Sequence, residues 1–246
     1  MAERKIYSAT LTRSLPLSDL TKHLEFRTDN GLERFDFTPG QFVSITATKE
    51  DGKPITRAYS IASEPHGDST FELCLNRVQD GWMSNRLCDL AEGDRITWHG
   101  PHGLFVLKQP LFDSIFICTG TGVAPFRSML RWMFEEPGRD GGRELWLVYG
   151  TRHADTIYYR DEFEELAQRH PNFHYIITLS RPHEGWTGPK GYVQERVREI
   201  LATRPDNGVG NTHAYICGLN EMVSANREQL KSLGWDRKQI FFERYD

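Results

Sequence analysis

The chain has 246 residues, a formal net charge of −4 and 38% apolar residues, which allows one large domain or two of ordinary size, each with a core. This balance argues against wholesale nucleic-acid binding, and no apolar run approaches the ~18–20 residues of a membrane span. The four cysteines, at 74, 88, 118 and 217, are too scattered for a zinc or iron–sulfur motif, and Pro171 interrupts the helix on which His170 and His174 would have to share a metal. No signal or transit pattern is visible, so a cytoplasmic protein without disulfides, membrane insertion or bound metal is expected, and a monomer is the expected state.

Residues 1–110 alternate short β-like runs with turns. Strands are expected over 6–11, 23–28, 42–48, 57–61, 71–78 and 95–98, and a helix over 85–90. Turn signals separate them: Asp29-Asn30-Gly31, Pro39-Gly40, Asp51-Gly52, Pro65-His66-Gly67 and Glu92-Gly93-Asp94. Six short strands in this order suggest an antiparallel β-barrel or sandwich. Beyond a seam at Lys108-Gln109-Pro110, residues 111–246 alternate strands (114–118, 145–149, 174–179, 214–217, 240–242) with helices (125–135, 161–169, 194–202, 221–233). That alternation is the mark of a doubly wound α/β parallel sheet.

The segment Thr119-Gly120-Thr121-Gly122-Val123-Ala124-Pro125 joins the first strand of this second half to its first helix. A glycine turn there gathers free backbone N–H groups and a positive helix end, which together bind phosphate. No Gly-Lys-Ser/Thr follows, so ATP or GTP hydrolysis is not expected. Read without a ligand, it is a tight strand-to-helix turn.

Other segments carry two readings. In Arg57-Ala58-Tyr59-Ser60, alternation puts Arg57 and Tyr59 on one face, where they suit a phosphate and a flat ring, or form an ordinary strand with one exposed arginine. Gly81-Trp82-Met83-Ser84-Asn85 opens a short helix whose N–H groups and Ser84 hydroxyl suit a second phosphate, or Ser84 is only a cap. Arg181 and Lys190, with Tyr192 nearby, are either solvated charges or a pocket for a 2′-phosphate and its adenine. Cys217-Gly218-Leu219 ends a strand where open α/β sheets bind ligands, though a small buried cysteine also explains it. Tyr245, following Phe241-Phe242, suggests a docked terminus.

Taken in order, Arg57–Ser60, Leu73-Cys74-Leu75, Gly81–Leu90, Gly100-Pro101-His102-Gly103, Gly120–Ser128, Ser180-Arg181, Lys190–Gln194, Cys217–Leu219 and Glu243–Tyr245 resemble the plant-type ferredoxin–NADP reductase family over nearly the whole chain. The resemblance implies an FAD-binding β-barrel domain (1–110), an NADP-binding α/β domain (111–246) and FAD in the cleft between them. It implies that Arg57 and Ser84 hold the FAD pyrophosphate, that Tyr59 flanks the flavin and that Ser60 lies near N5. Ala58, Cys74, Leu75, Asn76, Gly81, Trp82 and Met83 complete the implied FAD site. Thr121 lies near both cofactors. Thr151, Arg152, Ser180, Arg181, Lys190, Tyr192 and Gln194 match the NADP site. Cys217, with Gly218 and Leu219, would meet the nicotinamide, Glu243 would support the active site, and Tyr245 would cover the flavin face.

Three departures stand out. The loop between Val78 and Gly81 is reduced to Gln79-Asp80, without the tyrosine that plant members stack on the adenine. Asn76 replaces a common lysine, with Arg77 adjacent. Asp246 follows the terminal aromatic. The activity implied is FAD-mediated electron exchange between NADP(H) and a separate ferredoxin or flavodoxin, since no cluster motif is present. Arg13, Lys22, Arg34, Lys49 and Lys53 are the expected basic rim for an acidic carrier. A flavin reductase or oxygenase reductase component is the alternative activity. A non-catalytic flavin- and nucleotide-binding regulator is the alternative of another class.

Overall fold

A computed structural model describes residues 5–29 and 31–245; Asn30 of the first expected turn and the terminal Asp246 lie outside the described residues. The chain divides into two compact units, residues up to Leu107 with Ala124–Glu135, and Lys108–Val123 with Glu136 onward.

The first unit is a six-stranded antiparallel sheet of β1 (Tyr7–Ser18), β2 (Thr21–Thr28), β3 (Phe42–Thr48), β4 (Pro54–Ser60), β5 (Thr70–Asn76) and β6 (Arg95–His102), in the order β4-β3-β6-β1-β2-β5. Its two edges meet: Ile61, just past β4, bridges Leu73 of β5, and the Ala62 N–H donates to the Glu72 carbonyl at 2.8 Å. The sheet therefore curls into a barrel. Alternate residues point inward. Leu24, Phe26, Phe71, Leu73 and Trp98 form a core with no side-chain exposure beyond 0%, and Phe35 packs edge-on to Trp98 at 4.7 Å between ring centroids. The outward set His23, Glu25 and Glu72 is polar, as the two-residue period requires.

Several elements differ from the sequence expectation: β6 runs on from 98 to His102 and the last strand of the chain from 242 to Tyr245. Strand β1 continues past Leu11 to Ser18 through a bulge between Leu11 and Arg13. Pro16 is tolerated because it sits at the hairpin end, beside a second register shift. The short helix α1 runs Trp82–Cys88 rather than 85–90, because Gly81 already serves as its N-cap.

Helix α2 (Ala124–Glu135) packs on the polar outer face of β5. Phe126 meets Phe105 at 5.8 Å between centroids, and the buried Arg127 donates to Glu72 Oε2 at 2.5 Å and to the Ala62 carbonyl at 3.0 Å. Arg131 pairs with Glu64 one helical turn on.

The second unit is a five-stranded parallel sheet of β7 (Asp113–Thr119), β8 (Leu145–Thr151), β9 (Phe173–Leu179), β10 (Thr212–Leu219) and β11 (Ile240–Tyr245), in the order β11-β10-β7-β8-β9. Helices α4 (Val193–Ala202) and α5 (Asn220–Ser232) cover one face through Val197, Ile200, Val223 and Leu230 against Ile115, Ile117, Val148 and Ile216. Helix α3 (Arg160–Arg169) covers the other, with Phe163 against Tyr175 at 5.4 Å. The chain grows from β7 outward through β8 and β9, then returns to lay β10 on the opposite side. The topological switch point lies between β7 and β10, where open α/β sheets bind ligands.

Candidate active site

The switch point is where the glycine motif folds. After β7, Gly120–Val123 forms a 3₁₀ turn that leads into α2. Gly122 lies so close to the end of β10 that an added Cβ would sit 2.4 Å from the Cys217 carbonyl oxygen. Gly218, at φ +148, is equally constrained: its Cβ would fall 2.5 Å from Thr119 Oγ1. Thr119 Oγ1 is itself buried with no hydrogen-bond partner among the described residues. Two backbones in close approach, a 3₁₀ turn of free amides and an orphaned hydroxyl suit a bound polar ligand.

Register brings three further residues of the sequence reading to this spot. Cys217 pairs with Cys118 on one side and with Glu243 on the other, and Leu219 pairs with Tyr245. Tyr245 stands on the strand beside that of Cys217, whose thiol is buried. Burial, with the Glu243 charge adding to it, pushes that thiol well above the ordinary cysteine range, against the opposing pull of Tyr245. Cys217 is thus a protonated, packed thiol rather than a nucleophile. Leu219 is exposed, at 60%, at the mouth of the site. Thr121 is half-buried in the turn.

A second cluster lies at the carboxyl ends of β8 and β9. The Ser180 and Arg181 amides donate to the Thr151 and Arg152 carbonyls at 3.0 and 2.9 Å, so the two loops run side by side. Lys190 is brought in by its bridge to Leu179. Arg152, Arg181, Lys190 and Tyr192 are all exposed, and Gln194 Oε1 is buried without a hydrogen-bond partner among the described residues. Sequence reasoning missed His153. Its Nδ1 lies 2.8 Å from the Arg181 carbonyl, which can only accept, so Nδ1 carries the proton. Its own carbonyl accepts from Thr156 Oγ1 at 2.8 Å. The ring thus holds the Arg181 backbone through Nδ1, while Thr156 holds the His153 main chain. A lone histidine in a loop offers no sequence signal for this.

On the barrel, Tyr59 pairs with Val43 and packs against the core, where burial raises its phenol pKa. Ser60 is buried, Ala58 exposed, and Arg57 stays exposed with Nη1 donating to the Thr56 carbonyl at 2.9 Å. Cys74, Leu75 and Met83 are buried, whereas Asn76 is exposed, its Oδ1 accepting from Thr21 at 2.5 Å. Ser84 is not a helix cap. It is the third residue of α1 and locks the preceding turn, accepting from the Val78 amide at 3.1 Å and donating to the Gly81 carbonyl at 2.9 Å.

Part of the expected positive charge is already balanced. Arg77, beside Asn76, is tied to Asn85 and Asp89 at 3.0 and 2.5 Å and does not replace the missing lysine. In the basic rim, Arg13 pairs with Glu25, Arg34 with Asp36 and Lys53 with Asp51. His23, Glu25 and Glu72 form a group of metal-ligating type, but Arg127 supplies its positive charge. No helix among the described residues is long and apolar enough to cross a membrane.

Comparison with known proteins adds to this geometry. Residues 8–107 match the oxidoreductase FAD-binding domain and residues 116–228 the oxidoreductase NAD-binding domain. The chain is 39% identical over 250 residues to ferredoxin–NADP reductase B of Sorangium cellulosum, covering all of both chains. It is 34% identical over 215 residues to the glycine betaine monooxygenase reductase subunit of Pseudomonas aeruginosa, of which it spans 57%. A ferredoxin NADP+ reductase from Neisseria gonorrhoeae, with bound FAD and NADP, shares the fold at a TM-score of 0.83 and 22% identity, over 98% of this chain and 99% of that one.

Proposed function

The chain belongs to the ferredoxin–NADP reductase family, as an FAD-dependent oxidoreductase using NADP(H), and from that premise we propose that it moves electrons between NADP(H) and a separate ferredoxin or flavodoxin. The observation that carries the reading is the contact of Gly122 with the Cys217 carbonyl, which brings the phosphate-type turn beside Cys217, Glu243 and Tyr245. When bound, FAD would supply the redox chemistry that joins two-electron exchange with NADP(H) to one-electron exchange with the carrier.

The chain's own residues bind and orient. Arg57 neutralises the FAD pyrophosphate together with the amides of residues 82–84, and Tyr59 supports the flavin ring, with Ser60 beside N5. The turn at 120–122 takes the nucleotide phosphates. Arg181 and Lys190 take the 2′-phosphate, Tyr192 stacks on the adenine, and Thr151, Arg152 and Gln194 line the same pocket. Cys217, Gly218 and Leu219 form the floor for the nicotinamide. The Cys217 thiol packs without ionising, and Glu243 sets the local charge. Tyr245 occupies that floor in the absence of nucleotide and must move for the ring to enter.

With NADPH as donor, the chain should reduce an acidic ferredoxin, coupled to cytochrome c, and this rate should fall with added salt while ferricyanide reduction holds. Reduction of ferricyanide with no ferredoxin turnover would contradict the carrier assignment. Turnover with a monooxygenase component instead, as the name of the 34% relative suggests for that protein, would favour the oxygenase reading.

A further inference from the structure

The short turn between β5 and α1 offers no ring to an adenine. Its exposed side chains are Val78, Gln79 and Asp80; Asp80 sits at φ +59, and the Gly81 amide closes the turn on the Val78 carbonyl at 3.0 Å. A ring follows at once. Trp82, the first residue of α1, is half-buried, and its Nε1 donates to Glu50 Oε2 at 3.2 Å, which fixes the indole plane. One helical turn on, the Arg86 guanidinium lies 5.8 Å from the indole centroid. These three residues, with Leu90 and Arg95, line a cavity of about 540 Å³ along the helix, within the size range of small-molecule pockets.

The polar groups around the cavity are not equivalent. Asp89 is held by Arg77, and Asp94 accepts from the Ala91 amide at 2.8 Å. Glu50 uses one carboxylate oxygen on Trp82, and its Oε1 can accept from an exocyclic amine. A flat indole, a guanidinium that stacks on π-faces and an acceptor beside them match a purine.

We propose that this cavity takes the adenosine end of FAD, with the adenine stacked on Trp82 and its amino group on Glu50. The proposal rests on the reading of residues 81–84 as the pyrophosphate turn, since only that anchor places the adenosine at the start of α1.

The test titrates FAD and FMN into the flavin-stripped full chain and into its W82A and W82F variants, followed by flavin fluorescence. FMN lacks the adenosine half. W82A should weaken FAD by about fivefold to a hundredfold, the usual worth of one base–aromatic stack, and leave FMN unchanged, while W82F retains most FAD affinity. Unchanged FAD affinity in W82A would overturn the proposal. Equal weakening of FAD and FMN would also overturn it, because Trp82 would then be propping the turn. A wild-type chain that binds neither flavin would instead sink the flavin reading itself.

Discussion

Gly122 and Cys217 touch backbone to backbone: a Cβ on Gly122 would stand 2.4 Å from the Cys217 carbonyl oxygen and 2.8 Å from its carbon. Neither group can yield without moving a strand end. Gly122→Ala should therefore push the turn off β10, cost about 1–3 kcal/mol of stability as an overpacked contact and weaken NADP(H) binding. Gly120 is the control. It has φ +55 with open space around it, so Gly120→Ala should cost only about 1 kcal/mol of backbone strain. Thermal unfolding and NADP+ titration of both variants check this; equal effects would mean the close approach is unimportant.

Arg181 and His153 give a graded prediction about cofactor choice. Arg181→Ala should weaken NADPH use about tenfold to a hundredfold, the loss of one charge-assisted phosphate contact, and leave NADH use nearly unchanged. His153→Ala, which frees the Arg181 carbonyl, should raise KM for NADPH several-fold with kcat intact. His153→Asn, able to keep the donor to that carbonyl, should recover most of the loss. Equal losses with both nucleotides would contradict the pocket.

The pair Arg127–Glu72 makes the barrel unit acid-sensitive. Desolvation pushes the Glu72 carboxyl upward, but the Arg127 charge and hydrogen bond, with His23 and Arg131, outweigh it and hold the group below its ordinary value. Its contribution is present above the unfolded carboxylate pKa and is lost as pH falls through the lowered folded value. Burial also holds His23 below the ordinary histidine value, against the pull of Glu72 and Glu25. The unfolded chain therefore takes up that proton first, so stability begins to fall as pH drops through the unfolded histidine value. Urea unfolding should show stability declining from about pH 7 and falling further below about pH 4 as Glu72 takes up its proton, and His23→Gln should flatten the upper part of that decline. Arg127→Met strips Glu72 of its nearest cation and should cost about 3–5 kcal/mol, most of it recovered by adding Glu72→Met. No recovery in the double variant would show that Arg127 acts through packing alone.

Tyr245 pairs in register with Leu219, beside Cys217 on the proposed nicotinamide floor. Removing the ring with Tyr245→Ser should tighten NADP+ binding, by about tenfold if the closed state dominates, because a competitor for the same surface is gone. Difference spectroscopy during NADP+ titration reads this directly. An unchanged affinity would place the ring elsewhere in solution.

Much of this was legible in the residues. The apolar run 115–118 followed by Gly120-Thr121-Gly122 and Pro125 announces strand, turn and helix, because each local preference agrees with the final fold. The order of Arg57, Ser84, Arg181, Cys217 and Tyr245 carried the family resemblance. What stayed hidden depends on distance along the chain. Arg127 reads as one charge of a surface helix, and only folding sets it against Glu72, 55 residues earlier. Pro16 reads as a strand breaker until the hairpin places it beside a register shift. His153 matters through one carbonyl 28 residues away, which no spacing reveals.

The most direct test of the account is an anaerobic titration of the purified, FAD-loaded chain with NADPH, followed by flavin absorbance near 450 nm and set beside the same titration with NADH. The account predicts bleaching at near-stoichiometric NADPH and recovery of the colour when oxidised ferredoxin is added, with NADH far less effective. A yellow protein that NADPH does not bleach, or one that never takes up FAD, would contradict it.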